Sequence, residues 1–235
     1  MFSVLISYLP IYVQTQSLAI ALSAASPDPT AILVCAVGAD AKEGRQSFDL
    51  LDELSGHDRP VIALDWSSAR DPEEGRIVSI GADCNSFVWL YHKTDDKRNS
   101  GRSGSWSRTV AILGVSLTPM CCVWNKSGTR FAVATGGDRT VAICHYDPDH
   151  RWWASRHFGR KGNGRARSSV TCLAWHPGTR AIAWGGCDCV CRVSSVAEER
   201  IGEDSDPSVS LPFQEELRCV PLMFLSWGGC ERAHI

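Results

Sequence analysis

The sequence lacks a strong excess of either charge. It has 24 lysine and arginine residues against 26 aspartate and glutamate residues, for a net charge of -2. Proteins that bind nucleic acid without regard to its sequence usually carry a basic overall field. That class is therefore not favoured, and any basic surface has to be local.

The sequence also lacks an uninterrupted apolar run of membrane-spanning length. The apolar stretch 1–26 has no positively charged start, contains Pro10, and is divided by Gln14, Thr15 and Gln16. A signal peptide needs a basic beginning, and a membrane-spanning helix needs about 20 apolar residues. We therefore expect core strands here rather than an export signal or a membrane span.

Motifs of common catalytic sites are absent as well. The sequence contains no G-x-S-x-G elbow, no phosphate-binding glycine loop and no H-E-x-x-H pair. Two cysteine–histidine pairs remain, Cys144 with His145 and Cys172 with His176. Adjacent residues of a strand point to opposite faces, which excludes the first pair as a nucleophile and its base. We expect no enzyme activity and no cofactor.

Cysteine is plentiful but follows no disulfide framework. The count of 11 is odd, and the spacing is not compact, so reduced thiols in the cytosol fit better than a stapled secreted domain. Cys187, Cys189 and Cys191 alternate along one short stretch. A single extended strand cannot wrap alternate side chains around one metal ion, so we expect small buried side chains and no metal site, with a redox-sensitive thiol as the remaining alternative.

The nine tryptophans mark an internal repeat. Three short apolar runs end in tryptophan and are followed by a polar turn: Val61–Trp66, Met120–Trp124 and Val170–Trp175. A second apolar run then leads into a glycine-rich turn with an aspartate, at Arg76–Asp83, Arg130–Asp138 and Arg180–Asp188. A third run closes each repeat, at Asn85–Trp89, Arg139–Cys144 and Cys189–Val193.

This pattern of short runs and tight turns, without helical periodicity, predicts an all-β fold of four-stranded blades. The repeats are longer than the about 40–45 residues of a WD-repeat blade. The excess lies in two polar connections, 93–108 and 159–169, and we expect the first to be a flexible surface insertion.

One repeat carries the residue types that form a hydrogen-bonded chain in the WD-repeat family: His57, Ser79, Asp83 and Trp89. In that family aspartate accepts from histidine, histidine meets serine, and serine meets the indole N–H. The implied role is structural, because the chain satisfies polar groups that are costly to bury unpaired. Asp138 and Asp188 are the matching turn residues, and we expect Asp188 to have lost its partners.

Six ordered segments carry a closer resemblance: GHDRPVIALDW, RIVSIGADCNSFVW, RFAVATGG, WWASRHF, SSVTCLAWHP and GGCDCVCRVSS. Together they resemble the WD-repeat subunit, subunit 1, of the actin-related protein 2/3 complex, over about residues 50–215. Residues 1–45 match poorly, and residues 218–235 do not continue the pattern.

The resemblance implies a seven-bladed β-propeller, of which we expect about four blades in a truncated chain. It implies a non-catalytic scaffold in the cytoplasm at the actin cytoskeleton, supporting actin filament nucleation and branching. The implied partners are the actin-related proteins and other subunits of the complex, the actin filament, and acidic tails of nucleation-promoting factors. No nucleic acid and no membrane span are implied.

The expected division of the chain follows the repeats. Residues 1–49 form a degenerate first blade, 50–109 a blade with a polar insertion, 110–160 and 161–205 two further blades, and 206–235 a divergent tail or the start of another blade.

A basic, tryptophan-containing segment is the candidate partner-binding surface. Its residues are Trp152, Trp153, Arg156, His157, Arg160 and Lys161. The alternatives are a solvated loop with one tryptophan packed between blades, or RNA binding by stacking and arginine contacts.

A different WD-repeat scaffold, such as a ubiquitin-ligase substrate receptor, is the alternative function. Such receptors often carry Trp-Asp-x-Arg at the end of a third strand, whereas Trp89 is followed by Leu90 and Tyr91.

Overall fold

The computed structural model describes residues 5–9, 16–21, 28–39, 46–67, 75–93, 104–158, 166–178, 181–196 and 214–218. These contain sixteen β-strands and no helix. No described helix is therefore available to cross a membrane.

The strands form four antiparallel groups of four, called here the first to fourth units. The first contains β1 (Leu5–Leu9), β2 (Gln16–Ala21), β3 (Ile32–Ala39) and β4 (Gln46–Leu54). The second contains β5 (Val61–Trp66), β6 (Arg76–Gly81), β7 (Ser86–Lys93) and β8 (Gly104–Ile112). The third contains β9 (Pro119–Trp124), β10 (Arg130–Thr135), β11 (Val141–Asp147) and β12 (Trp152–His157). The fourth contains β13 (Val170–Trp175), β14 (Ala181–Gly186), β15 (Val190–Ser195) and β16 (Gln214–Arg218).

In each unit neighbouring strands in sequence are neighbours in the sheet. The second and third units are also joined at their outer edges, where β8 and β12 pair in parallel through Ala111 with Trp153 and Ile112 with Ala154. They therefore form one eight-stranded sheet, with β5 and β9 at its two ends.

The core lies between the units. Apolar side chains of one unit face those of the next, as Val78 and Ile80 of the second unit face Phe131 and Val133 of the third. Similar clusters lie between the first and second units and between the third and fourth. Most of the middle strands are buried on both faces, which explains their continuous apolar runs rather than strict alternation.

Hydrogen bonds also cross between units. The Asp52 carboxylate accepts from the Trp106 indole at 3.1 Å, and the Asp65 carboxylate accepts from the Trp124 backbone N–H at 2.7 Å. The Trp175 indole donates to the Val123 carbonyl at 3.0 Å. Each pair of neighbouring units is thus fixed by a polar contact as well as by packing.

The tryptophan-terminated runs predicted from the sequence are the first strands of the last three units, and two of them have the predicted limits. The fourth strand of each unit was less clearly marked in the sequence than the first three. Residues 104–108, expected in a flexible insertion, belong to β8, where Trp106 packs against Trp66 and Tyr91. The predicted unit limits also differ from the sheets, since β4 extends to Leu54 and β16 lies in the expected tail.

Candidate functional site: polar networks of the units and the outer strand β12

The hydrogen-bonded chain of the second unit links four side chains. Asp83 lies 3.1 Å from His57 Nδ1, His57 Nε2 lies 2.8 Å from the Ser79 hydroxyl, and the Trp89 indole donates to that hydroxyl at 2.9 Å. A carboxylate only accepts, so His57 Nδ1 carries the proton. Its Nε2 therefore accepts from Ser79, and every partner in the chain is satisfied.

This hydrogen-bonded network is buried, and the pKa values of its His57 and Asp83 side chains reflect the burial. Burial lowers the pKa of His57, and the neighbouring Asp83 carboxylate opposes that effect in part. Burial also acts to raise the pKa of Asp83, but the backbone N–H groups of Asn85 and Asp58 and the His57 ring outweigh it, and the pKa is lowered. The arrangement therefore favours a neutral imidazole beside an ionised carboxylate.

The turn aspartates of the second, third and fourth units share one contact. Asp83 accepts from the backbone N–H of Asp58 at 3.0 Å, Asp138 from that of Ser116 at 2.9 Å, and Asp188 from that of Arg167 at 3.1 Å. In each case the donor lies in the connection that enters the first strand of the same unit. The carboxylate thus fixes the entering chain against the turn.

Asp188 has not lost its partners, contrary to the sequence-based expectation. Its carboxylate lies 2.8 Å from the Arg192 guanidinium, and both side chains are buried. The guanidinium also lies 5.0 Å from the centre of the Trp184 ring. Arg192 was missed because only histidine was considered as the partner; the Asp188-x-x-x-Arg192 spacing across a tight turn was the available signal.

The serine–tryptophan hydrogen bond recurs in the fourth unit, but there the two residues have exchanged strands. In the second unit Ser79 is on β6 and Trp89 is on β7; in the fourth, Trp184 is on β14 and Ser194 is on β15. The Trp184 indole donates to the Ser194 hydroxyl at 3.1 Å. The corresponding positions of the third unit are the apolar Val133 and Cys144, both fully buried.

The outer strand β12 divides the predicted partner-binding residues between two faces. Trp152 is 40% exposed and stacks on His150, with ring centres 5.4 Å apart. Trp153 is instead 3% exposed and packs against Trp124 and Phe131. Trp153 is thus unavailable to a partner, which corrects its place in the predicted surface and favours the alternative of a tryptophan packed between blades.

His157 is also buried. Its Nδ1 lies 3.1 Å from the Thr140 hydroxyl and its Nε2 lies 2.6 Å from the Leu113 carbonyl. The side chain therefore ties the third unit to the connection between β8 and β9, and it is structural rather than partner-binding. Thr140, which links it to the turn after β10, was not identified from the sequence.

Arg156 lies on the same face of β12 as Trp152, because alternate residues share a face. Across the sheet this face carries His145, which is opposite both Ala154 and Arg130. Burial lowers the pKa of His145, and the positive charges of Arg156 and Arg130 lower it further. Arg156 and Arg130 thus place positive charge beside His145, and the Asp147 carboxylate, opposite Trp152, offsets part of it. Arg160 and Lys161 lie outside the described residues.

The cysteines differ widely in environment. Burial raises the pKa of Cys121 to about 12 and raises those of Cys122 and Cys144 as well, so these are poor nucleophiles. Cys187 is exposed and Cys189 and Cys191 are half-buried, so the expectation of small buried side chains is wrong for Cys187. No group of three metal-binding side chains occurs among the described residues.

Comparisons with known proteins identify relatives of the chain. It is 31% identical over 174 residues to actin-related protein 2/3 complex subunit 1A of Arabidopsis thaliana, which covers 72% of this chain and 41% of that protein. It is 30% identical over 163 residues to subunit 1 of Schizosaccharomyces pombe, covering 68% and 38%. The chain thus spans about two fifths of the length of these relatives. No protein-family profile matches it.

Solved structures support the fold. Sqt1 of Chaetomium thermophilum, bound to the N-terminus of ribosomal protein L10, matches with a TM-score of 0.59 and 10% identity, over 92% of this chain and 52% of Sqt1. A chain of polycomb repressive complex 2 from the same organism matches with a TM-score of 0.61 and 14% identity, over 83% and 37%. The all-β propeller architecture is thereby confirmed, and the chain is a relative of the WD-repeat subunit, subunit 1, of the actin-related protein 2/3 complex.

Proposed function

We propose that the chain is a non-catalytic scaffold subunit of an actin-related protein 2/3 complex, in the cytoplasm at the actin cytoskeleton, where it supports filament nucleation and branching. The observation that carries this proposal is the 31% identity to subunit 1 over 174 residues. Function argued from fold alone would be weak, because propellers serve many roles. The relatives supply the more specific part of the argument.

The described residues suit a scaffold. Buried polar networks fix the turns of the units, and hydrogen bonds from Asp65 and Trp175 fix one unit against the next. A satisfied network such as that of the second unit holds its surroundings in one geometry. We infer that each unit with its connections corresponds to one blade, and that partners are recognised by the outer surfaces and loops rather than by a catalytic cleft.

The β12 surface, defined as Trp152, Arg156 and His145, is the proposed contact for a partner of the complex. An exposed tryptophan beside arginine is typical of the residues that dominate binding energy at interfaces. The positive charges of Arg156 and Arg130 beside His145 favour an acidic partner such as the tail of a nucleation-promoting factor. Arg160 and Lys161 remain proposed extensions of this surface on sequence grounds.

The test of complex membership is purification of the full tagged chain from its source cells, followed by mass spectrometry. Co-purification of two actin-related proteins with small subunits of the complex is the expected result. If ubiquitin-ligase components are recovered instead, the alternative scaffold class is correct and the proposal fails.

The β12 surface is tested separately with Trp152→Ala and Arg156→Glu. Trp152 is exposed and Arg156 is half-buried, so we expect binding of a synthetic acidic tail to weaken about tenfold or more without a change in thermal unfolding. Arg59→Glu is the matched control, since Arg59 is exposed and precedes β5 in the second unit. Equal weakening by the control would show that only overall charge matters, and unchanged binding in both test variants would exclude this surface.

A further inference from the structure

We propose that Cys187 and Cys189 form an oxidisable dithiol, a modification site that closes into a disulfide when the chain meets a low-molecular-weight disulfide such as oxidised glutathione. The site lies in the turn between β14 and β15. It is separate from the β12 surface and does not depend on membership of any complex.

The turn brings the two cysteines together. The Gly186 carbonyl accepts from the Cys189 backbone N–H at 3.3 Å, which closes a four-residue β-turn with Cys187 at its second position. Consecutive Cα atoms are about 3.8 Å apart, and a folded turn brings alternate residues within the about 4.4–6.8 Å that a disulfide requires. An extended strand would hold them further apart.

The thiol of Cys189 lies over the backbone of the turn, close to Cys187. Its Sγ lies 3.9 Å from the carbonyl oxygen of Cys187, so the side chain folds back over the turn instead of pointing along β15. The backbone of Cys189 adopts a φ of +59°, a conformation imposed by the turn that contributes to this direction. Cys187 is exposed, so a dissolved oxidant can reach it.

The surrounding backbone holds this geometry. The Cys187 N–H donates to the Ser169 carbonyl at 3.2 Å, and a Cβ at Gly186 would clash with the same oxygen. Between the two cysteines, Asp188 is fixed by Arg192 at 2.8 Å. The dithiol is therefore presented on a turn that is anchored on both sides.

The reaction is a pair of thiol–disulfide exchanges. The Cys187 thiolate attacks one sulfur of oxidised glutathione, forming a mixed disulfide and expelling one glutathione thiolate. The Cys189 thiolate then attacks the Cys187 sulfur, forming the Cys187–Cys189 bond and expelling the second. The protein loses two electrons and two protons, and one oxidant disulfide is reduced to two glutathione thiols.

The second unit provides an internal control. Cys84 has the same position as Cys189, directly after the turn aspartate, with a φ of +63°. Its N–H donates to the Gly81 carbonyl at 3.1 Å, but Ala82 stands where the fourth unit has Cys187. Cys84 should therefore stop at the mixed disulfide with glutathione. Ala82→Cys should give that turn the ability to close.

The experiment treats the folded, reduced full chain with oxidised glutathione, alkylates the remaining thiols and maps the tryptic peptide 181–192 by tandem mass spectrometry. We expect this peptide to lose two hydrogen atoms through a Cys187–Cys189 bond. Cys191→Ser should leave the product unchanged, whereas Cys187→Ser and Cys189→Ser should abolish it. Circular dichroism before oxidation shows that each variant is folded.

Three outcomes would overturn the proposal. Cys187 could stop at the mixed disulfide, the bond could involve Cys191 instead, or the same bond could form as fast in urea, where the turn is lost. The first two exclude the proposed pair, and the third shows that the folded turn has no part in the reaction.

Discussion

Ser79 is the residue on which the network of the second unit depends. Its single hydroxyl accepts from Trp89 at 2.9 Å and donates to His57 at 2.8 Å. Both neighbours are buried, with Trp89 4% and His57 5% exposed. Removal of the hydroxyl would leave the Trp89 indole N–H and His57 Nε2 without this partner, away from water.

We expect Ser79→Ala to lower the free energy of unfolding by about 2–4 kcal/mol, because two buried polar groups lose their partner. Chemical denaturation of the folded chain measures this. Ser86→Ala is the matched control, since the Ser86 hydroxyl is also buried but has no hydrogen-bond partner among the described residues. Its loss should cost much less, and equal costs would contradict the role given to Ser79.

Acidification should weaken the fold through His57. Because burial lowers the pKa of His57 below the ordinary value of 6.5, the unfolded chain takes up a proton at a higher pH than the folded chain does. The contribution of neutral His57 to the free energy of unfolding is therefore fully present above about pH 6.5. It is lost as the pH decreases towards the pKa of His57 in the folded chain. Denaturation curves across this range measure the slope.

His57→Gln should reduce that slope. His145, whose pKa is also lowered, remains in the variant, so a residual slope is expected. An unchanged slope would show that His57 does not remain neutral in the fold. Asp83 acts at lower pH, since its lowered pKa gives stability that is lost as the pH falls below its ordinary value of 3.8.

At the scale of the elements, the same turn is stabilised in different ways. The second unit uses histidine beside its aspartate, whereas the fourth uses Arg192, which reaches Asp188 from β15 across four residues. Arginine donates in a fixed fork and also packs over the Trp184 ring. The aspartate is thus the common feature, and its cationic or neutral partner varies.

We expect Asp188→Asn to destabilise the chain by about 3–5 kcal/mol, because it removes the buried carboxylate that pairs with the buried Arg192 guanidinium. Thermal or urea unfolding measures the loss. Asp147→Asn is the control: Asp147 pairs with His150, whose side chain is 64% exposed, so little change is expected. Similar losses in the two variants would mean that burial of the pair has no energetic role.

Sequence reasoning located most strands of the last three units, because tryptophan ends each first strand and an aspartate turn separates the second from the third. It also identified His57, Ser79, Asp83 and Trp89, whose order is specific. It did not find β8, since that strand is polar and begins inside a glycine- and serine-rich stretch. It placed Trp153 and His157 on a surface because a linear sequence pattern does not show which face of the outer strand of a unit is covered.

At the scale of the molecule, the second and third units are joined into one sheet. Their outer strands pair through two residues each, and side chains reinforce this join. The Ser155 hydroxyl donates to the Leu113 carbonyl at 2.9 Å, and His157 contacts the same carbonyl at 2.6 Å. We expect the backbone amides of residues 110–113 and 153–157 to be protected from hydrogen exchange as one cooperative group.

His157→Ala should loosen this join, because the Leu113 carbonyl and the Thr140 hydroxyl both lose a partner. Hydrogen exchange of the backbone amides in 110–113 and 153–157 should become faster, whereas strands of the fourth unit should change little. Trp152→Ala is the control on the exposed face of the same strand. Equal acceleration in the control, or acceleration spread evenly over all units, would contradict a local join.

The parallel pairing of β8 and β12 has a consequence for unwanted association. The outermost strand of a sheet ordinarily offers unpaired backbone groups to any extended chain that approaches it. Here two such strands pair with each other, Ala111 with Trp153 and Ile112 with Ala154. The backbone groups at this point are already paired within the molecule, so a strand of another chain cannot extend the sheet there and begin a fibrous aggregate.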